Sequence, residues 1–296
     1  MKKRICWSLA LCLFLGTISL YSTMALTRDT HEVTRVLGLF DEIGGNRIGL
    51  VSPYQTVIVR ERHCERWIKI DSWLGRQWLD LGPQLPNFVD PSLPMIALTF
   101  DDGPTIHTQR ILDTFELHGA NATFFVRGDR VVIRPNIVKE AHDRGFEVVG
   151  HTWSHPNLTR LPADQIESQI IRTHDAIEAL IGPVPMIYRP PFGSFNSTVR
   201  EASRNAGFAI IHWSRDPRDW EVRNSDAVFR RVVNEAYDGA IVVLHDTHGT
   251  TATAMERAVP ELIARGFQLV TVSELFYYRG IELEPGTVYF HAPVRR

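Results

Sequence analysis

Cysteine is nearly absent from this chain, with 3 cysteines among 296 residues. Cys6 and Cys12 lie in the apolar stretch near the start, so only Cys64 belongs to the remainder of the chain. A single thiol can form neither an internal disulfide nor a cysteine metal site, which excludes both kinds of stabilisation. Because Cys64 is far in sequence from every other reactive residue, we interpret it as a half-buried structural thiol.

A strong net charge is also missing. The formal net charge is -2 at pH 7, so nothing indicates a nucleic acid or an anionic membrane surface as partner. Hydrophobic residues make up 44% and charged residues 22% of the chain, which is ordinary for a globular protein and excludes extensive disorder. The length predicts one large domain or two unequal ones.

Long apolar runs are missing after the first 25 residues, since no later segment approaches the ~20 apolar residues of a transmembrane helix. Residues 1–25 contain Lys2, Lys3 and Arg4, then an apolar stretch to residue 21, and end at Ala25. This pattern predicts a secretory signal peptide cleaved after Ala25. An uncleaved N-terminal anchor remains the alternative because Met24 interrupts the small residues. In both cases we expect an exported protein, secreted or held at the cell surface or cell wall.

A proline-rich linker is predicted at residues 83–94 and divides the rest of the chain. Residues 30–82 before it contain short runs rich in β-branched and aromatic residues, which predict a small all-β module. Residues 95–278 follow as the main domain, and residues 279–296 are interpreted as a packed C-terminal extension.

Strands and helices alternate seven times in residues 95–278, which predicts an α/β fold. Strands are expected at residues 96–100, 122–126, 146–149, 186–189, 209–212, 240–244 and 268–272. Amphipathic helices are expected at residues 108–118, 131–143, 163–181, 197–206, 226–236 and 252–265. Apolar strands in repeated βα units favour a parallel sheet that closes into a distorted (β/α)7-type barrel.

Chemically reactive side chains follow the predicted strands at their carboxyl ends. They are Asp101 and Asp102, His151 and His155, Arg189, Asp216 and His245. In α/β barrels the loops at this face carry the active site, so we expect these side chains to meet on one rim.

Two of these histidines and one carboxylate have the composition of an open zinc site. His151 and His155 are four residues apart and converge on one cation if the segment makes a helical turn. A second carboxylate beside the metal is placed to take a proton from water. Taken alone, the sequence Asp-Asp-Gly-Pro is also typical of an ordinary turn, and a pair of histidines is weak evidence for a metal site. Their conjunction at one rim favours the metal site.

Residues 95–278 resemble the polysaccharide deacetylase domain, also called the NodB homology domain, of carbohydrate esterase family 4. Five segments carry the resemblance, in order: residues 99–104 (TFDDGP), 151–155 (HTWSH), 189–193 (RPPFG), 216–220 (DPRDW) and 243–246 (VLHD). Their joint occurrence is highly specific.

The resemblance implies that Asp102, His151 and His155 bind a divalent metal, usually zinc, with cobalt or nickel also tolerated. Asp101 would be the general base and His245 the general acid that protonates the departing nitrogen.

The resemblance also implies supporting roles. Arg189 would hold Asp101, and Asp216 would orient His245, although each could form an ordinary surface ion pair. The backbone N–H of Phe192 would complete the oxyanion site, where relatives commonly have Tyr. Trp220 and Val243 would line the acetyl pocket, and without the family both would be interpreted as core residues.

The implied function is metal-dependent removal of N-acetyl groups from amino sugars of a polysaccharide. Peptidoglycan is favoured because of the predicted signal and because residues 67–79 resemble, more weakly, a bacterial SH3-like module of cell-wall proteins. Trp67, Trp73 and Trp78 could contact sugars or wall peptide there, or fill the module's core. A chitin or chitooligosaccharide deacetylase and an O-acetyl esterase of the xylan type are the enzyme alternatives. A carbohydrate-binding wall protein and a wall-tethering module are the alternatives without catalysis.

Overall fold

The computed structural model describes residues 29–33, 37–43, 47–51, 55–63, 67–72, 74–81 and 89–293. The expected signal peptide, Cys64, Trp73, residue 82 and residues 83–88 of the expected linker lie outside these described residues. No helix in the described ranges combines the length and the apolar character needed to cross a membrane.

The first part of the described chain is all-β. Its strands are β1 (Thr30–Val33), β2 (Leu37–Phe40), β3 (Arg47–Val51), β4 (Gln55–His63), β5 (Trp67–Ser72) and β6 (Gly75–Asp80). They form one antiparallel sheet in the order β1-β4-β5-β6-β2-β3. This confirms an all-β segment ahead of the main domain, whereas its SH3-like identity stays a prediction.

Alternating side chains give this sheet two apolar faces. Ile68 and Ile70 of β5 pack in one buried cluster with Leu79 of β6. Trp67, on the alternate face of β5, contacts the ring of Phe40 at 5.2 Å between centroids. Trp67 and Trp78 are both buried, so these two tryptophans fill the module rather than present free rings.

The main domain contains the strands β7 (Met95–Asp101), β8 (Thr123–Val126), β9 (Glu147–Gly150), β10 (Ile187–Tyr188), β11 (Ala209–Ile211), β12 (Ala240–His245), β13 (Gln268–Leu269) and β14 (Val288–Tyr289). Its helices are α1 (Thr108–Leu117), α2 (Gly128–Ile133), α3 (Pro135–Asp143), α4 (Ala163–Ile181), α5 (Ser197–Ala206), α6 (Asp219–Val222), α7 (Ser225–Asn234), α8 (Gly249–Ala264) and α9 (Val272–Tyr278). Short 3-10 turns lie at Leu158–Arg160 and Pro191–Gly193.

A curled parallel sheet forms the centre of this domain. Within the described residues its strand order is β12-β7-β8-β9-β10-β11-β14, with β13 paired to β7. The chain leaving β11 then pairs with β12 at the other side, where Arg215 forms a parallel bridge with Val242. The predicted α/β fold with a parallel, barrel-like sheet is therefore confirmed.

Successive side chains along each strand point to opposite faces of the sheet, so the core has an outer and an inner layer. Ile96, Leu98 and Phe100 of β7 pack outward in the cluster formed with the helices. Met95 and Ala97 point to the opposite, inner side of the sheet. The same alternation carries Asp101 to the inner side, because it continues the series that begins at Met95.

Three helical segments differ from the prediction, and one of them is the short helix α6, which had no predicted range. The helix expected at residues 131–143 is two helices, because Pro135 opens α3 and its ring disfavours a helical conformation at Arg134. Helix α9 was not predicted. Thr271 and Glu274 form a capping box at its start, and the T-x-x-E spacing is the signal that could have revealed it.

The domain also extends past both predicted boundaries. Val89 is buried in the inner core, and the backbone N–H of Asp90 donates to Gln268 Oε1 at 2.7 Å, so the end of the expected linker is packed. Beyond residue 278, β14 pairs in parallel with β11. The C-terminal extension thus supplies part of the sheet itself.

Four phenylalanines pack together in the outer core: Phe100, Phe115, Phe124 and Phe146. The ring centroid of Phe124 is 5.2 Å from that of Phe100 and 5.8 Å from that of Phe146. We expect Phe124→Ala to lower the free energy of unfolding by about 3–5 kcal/mol, because a buried aromatic ring is lost and a cavity is left. Leu117→Ala is the control, since Leu117 is 79% exposed and its loss should change stability by less than about 0.5 kcal/mol. Urea unfolding of both variants measures the difference, and equal effects would contradict this description of the core.

Candidate metal centre and active site

One rim of the curled sheet collects the predicted site residues. Asp101 ends β7 and His245 ends β12, and the parallel register makes these two residues direct cross-strand partners. His151 follows β9 and Arg189 follows β10. Because all the strands run in the same direction, their carboxyl ends deliver these side chains to one edge.

Asp102, His151 and His155 form a compact set of metal donors. One ligand atom from each lies within 4.8 Å of the others. Asp102 Oδ1 is 3.3 Å from His155 Nε2 and 3.8 Å from His151 Nε2. The structure therefore brings together the two histidines and the carboxylate that the sequence analysis selected.

A loop, and not the expected helical turn, makes the two histidines converge. Residues 151–157 contain no regular helix, and both Thr152 (φ 64°) and His155 (φ 62°) have left-handed backbone conformations. Asp102 is left-handed as well, with φ 72°. Left-handed conformations are rare for residues other than glycine, and here they fold the loop back on itself.

Hydrogen bonding prepares His151 as a ligand. Its Nδ1 lies 2.8 Å from the carbonyl oxygen of Arg189, and since a carbonyl can only accept, Nδ1 carries the proton. Burial lowers the pKa of His151 to about 3, so the ring is neutral and Nε2 presents a lone pair. Burial also lowers the pKa of His155, whose ring lies 4.6 Å from that of Phe192.

The donor set fits a divalent cation. Asp102 Oδ1 is buried and has no hydrogen-bond partner among the described residues, which is costly for a carboxylate oxygen unless a cation occupies the space. Two neutral imidazole nitrogens and one carboxylate oxygen are the protein ligands of an open catalytic zinc site.

Asp101 lies beside this set and is held away from it. Its Oδ1 accepts a hydrogen bond from Arg189 Nη1 at 2.7 Å, and its Oδ2 is 3.8 Å from His151 Nε2. Burial raises the pKa of the Asp101 carboxyl, and the positive charge of Arg189 opposes that rise. Arg189 is itself fully buried and donates to Thr99 Oγ1 at 2.7 Å.

His245 faces Asp101 from the neighbouring strand and is anchored from behind. Its Nδ1 donates to Asp219 Oδ1 at 2.8 Å, which leaves Nε2 as the atom able to exchange a proton. Burial alone would lower the pKa of His245, but the hydrogen bond and charge of Asp219 outweigh it and raise the pKa to about 9. Asp219 Oδ2 also accepts from the hydroxyl of Thr251 at 2.7 Å, which fixes the carboxylate.

The assignment of Asp216 as the partner of His245 is wrong. Asp216 Oδ1 accepts from the backbone N–H of Arg218 at 2.8 Å and so stabilises the local turn. Arg218, with φ 54°, reverses the chain, and Asp219 at the start of α6 is the carboxylate that points inward. The segment DPRDW offers two aspartates, and spacing alone does not distinguish the one that closes the turn from the one beneath the imidazole.

The remaining predicted residues lie on the same rim in different environments. Phe192 is in the Pro191–Gly193 turn with φ 61°, and its side chain is 65% exposed. Trp220 follows Asp219 and is 46% exposed. Val243 is buried on the inner side of β12, two residues before His245.

Asp246 is a buried carboxyl to which the sequence analysis assigned no role. The hydroxyl of Thr108 donates to its Oδ2, and burial raises its pKa to about 7. A Cβ atom on Gly103 would lie 2.2 Å from the same oxygen. Asp246 therefore supports the loop that carries Asp102, and only glycine fits at residue 103.

Known proteins resemble this chain in sequence and in fold. The family model for polysaccharide deacetylases matches residues 89–211. The peptidoglycan-N-acetylglucosamine deacetylase PgdA of Listeria monocytogenes is 41% identical over 196 residues, which are 66% of this chain and 41% of that protein. The chain thus spans about two fifths of that relative's length.

Solved structures match more completely. The peptidoglycan deacetylase PdaC from Bacillus subtilis superposes with a TM-score of 0.62 and 40% identity, covering 65% of this chain and 94% of that one. A family 4 acetyl xylan esterase from Clostridium thermocellum, in complex with a cobalt ion, gives a TM-score of 0.63 and 30% identity over 67% of this chain and 99% of its own. The chain therefore belongs to the polysaccharide deacetylase family.

Proposed function

We propose that this protein is a metal-dependent hydrolase that removes N-acetyl groups from amino sugars of a polysaccharide. One observation carries the proposal: Asp101 lies next to the donor set of Asp102, His151 and His155 without belonging to it, and His245 is its cross-strand partner. A base and an acid thus flank one electrophilic centre, which is the arrangement that amide hydrolysis needs.

Asp102, His151 and His155 would hold the cation, with zinc proposed because two imidazoles and a carboxylate suit it and cobalt or nickel also tolerated. When bound, the cation supplies a Lewis acid for the acetyl carbonyl and a positive charge beside the attacking water. Asp101 accepts the proton of that water, since Arg189 holds its Oδ1 and leaves Oδ2 free to act.

His245 then delivers a proton to the departing amine. An unprotonated amine is a poor leaving group, so the acid must be charged at neutral pH. The buried carboxylate of Asp219 provides this by raising the pKa of His245 to about 9. It also keeps Nδ1 protonated, which directs the transferable proton to Nε2.

Phe192, Trp220 and Val243 are proposed to complete the site. Phe192 lies in a left-handed turn and its ring contacts that of His155 at 4.6 Å, so the residue lies beside the donor set, which supports the oxyanion role of its N–H. Val243 is a buried apolar side chain two residues before His245, and Trp220 is a half-exposed ring next to Asp219, so apolar surface suited to the methyl group of an acetyl substituent lies near the proposed acid.

Peptidoglycan is the proposed substrate, and the proposal includes export to the cell surface or wall. It is supported by the basic and apolar residues 1–25, by the all-β module, and by the names of the Listeria and Bacillus relatives. The similarity to an acetyl xylan esterase supports O-acetyl hydrolysis as the second candidate, because the same site would cleave an ester.

Acetate release tests the proposal directly. Metal-loaded protein is incubated separately with purified peptidoglycan, with chitooligosaccharide and with acetylated xylan. Acetate from peptidoglycan supports the proposed substrate, and acetate from xylan alone supports the esterase. Carbohydrate binding without acetate release from any of the three would contradict the enzymatic function.

Removal of one metal ligand should separate metal binding from proton transfer. We expect His151→Ala to lose bound zinc and to release acetate at least about a hundredfold more slowly, since even indirect partners of metal ligands contribute 10- to 100-fold. Asp101→Asn is the matched control, because it should keep the metal and lose a similar amount of activity. Metal content by mass spectrometry and acetate release measure both effects. If Asp101→Asn also loses bound zinc, Asp101 is itself a metal ligand and the proposed division of roles is wrong.

The pH dependence of acetate release should depend on Asp219. His245 acts when protonated, so activity is retained below its pKa and is lost as the pH rises through about 9. Asp219→Asn removes the charge that raises this pKa, so the alkaline limb should move to lower pH by about 1 to 3 units. Asp216→Asn should leave the limb in place, because Asp216 contacts the backbone of Arg218. A shift in Asp216→Asn alone would overturn the assignment of Asp219.

A further inference from the structure

Three aromatic side chains form a continuous surface at the end of the sheet, and none of them has a role in the proposed chemistry. His212 lies 4.6 Å from Phe290 and 6.0 Å from Phe195 between ring centroids. Phe195 and Phe290 are 6.4 Å apart. We call Phe195, His212 and Phe290 the aromatic ledge.

The ledge lies next to the buried arginine of the proposed site. Strands β11 and β14 are parallel, with Ile211 opposite Tyr289, and His212 and Phe290 are the next residues along each strand. The carbonyl oxygen of His212 accepts a hydrogen bond from Arg189 Nη2 at 3.0 Å. Arg189 Nη1 donates to Asp101, so the backbone of the ledge is one residue away from the proposed base.

The ledge is also continuous with the proposed active site. His212 Nε2 lies 3.3 Å from the carbonyl oxygen of Gly193, and a Cβ atom on Gly193 would be 2.5 Å from the same nitrogen. Gly193 follows Phe192, whose ring contacts that of His155 at 4.6 Å. Ring contacts and the backbone of Gly193 therefore connect His155, a proposed metal ligand, to His212 and Phe290.

Phe290 is the exposed end of the ledge. It is 43% exposed, and its ring contacts those of His212 and Phe195. The ring of His212 is half-buried, and its Nε2 and Nδ1 lie 3.3 Å and 3.2 Å from the carbonyl oxygens of Gly193 and Trp213, of which a neutral ring donates to one. An exposed ring that rests on other rings is a feature of binding sites for amphipathic ring-shaped ligands.

We propose that the aromatic ledge is a subsite for a further sugar of the polymer, with the ring of Phe290 packed against the apolar face of a pyranose ring. The inference rests on the proposed function, because a polymer with one residue at the metal centre must continue across the rim. The ledge would make affinity depend on chain length. The C-terminal extension completes the ledge, because β14 pairs with β11 and carries Phe290 to His212.

The test compares short and long chitooligosaccharides. In Phe290→Ala, we expect the KM for the pentamer of N-acetylglucosamine to rise about fivefold, the size expected for one aromatic contact. The KM for the dimer and both kcat values should stay unchanged, because Phe290 contacts Phe195 and His212 and not the residues proposed to act on the acetyl group. Phe290→Trp is the matched control and should retain the wild-type KM for the pentamer. An unchanged pentamer KM in Phe290→Ala, or an equal rise for dimer and pentamer, would overturn the subsite.

A binding measurement separates this inference from the proposed function. Pentamer affinity is measured by calorimetry in Asp101→Asn and in Asp101→Asn combined with Phe290→Ala. A fivefold loss in the double variant supports the ledge even if wild-type protein releases no acetate, in which case only the proposed function fails. Equal affinities, or no pentamer binding by either variant, would overturn the ledge. Thermal unfolding of each variant shows that the comparison is made between folded proteins.

Discussion

The buried ion pair between Arg189 and Asp101 is the contact on which the rest of the site depends. Two charges in the interior are costly, and removal of one partner would leave the other uncompensated at about 3–5 kcal/mol. The pair is sustained because the guanidinium also donates to Thr99 and to the carbonyls of Ile211 and His212. The carbonyl of Arg189 accepts from His151. One residue therefore positions both the base and a metal ligand, so neither can shift independently.

The environments of His151 and His245 show how identical side chains reach opposite protonation states on one rim. Burial lowers the pKa of His151 to about 3, because the opposing negative charge of Asp102 does not outweigh it. His245 faces the carboxylate of Asp219, which outweighs burial and raises its pKa to about 9. At neutral pH the first is a neutral ligand and the second a charged acid. Environments that separate two pKa values in this way are what assign acid, base and ligand roles.

The parts of the molecule that follow from local periodicity could be predicted from the sequence. The alternation in β7 carries Asp101 inward, and the amphipathic pattern of α4 predicts that helix with both ends correct. The pairing of His245 with Asp219 could not be predicted in this way. Asp216 and Asp219 are chemically identical and three residues apart, and the backbone reversal between them depends on tertiary contacts, including the hydroxyl of Thr251 from α8.

The conformation of the loops at the rim could not be predicted from the sequence because several of their residues have left-handed backbone. In the described part of the chain, six residues other than glycine have positive φ, and three are the site residues Asp102, His155 and Phe192. Two others, Thr152 and Arg218, adjoin His151 and Asp219. Each such conformation costs about 1–3 kcal/mol and persists only where surrounding contacts enforce it. Local sequence preferences favour other conformations at these positions, so the side chains converge only because the packed sheet and its buried ion pair hold the loops in place.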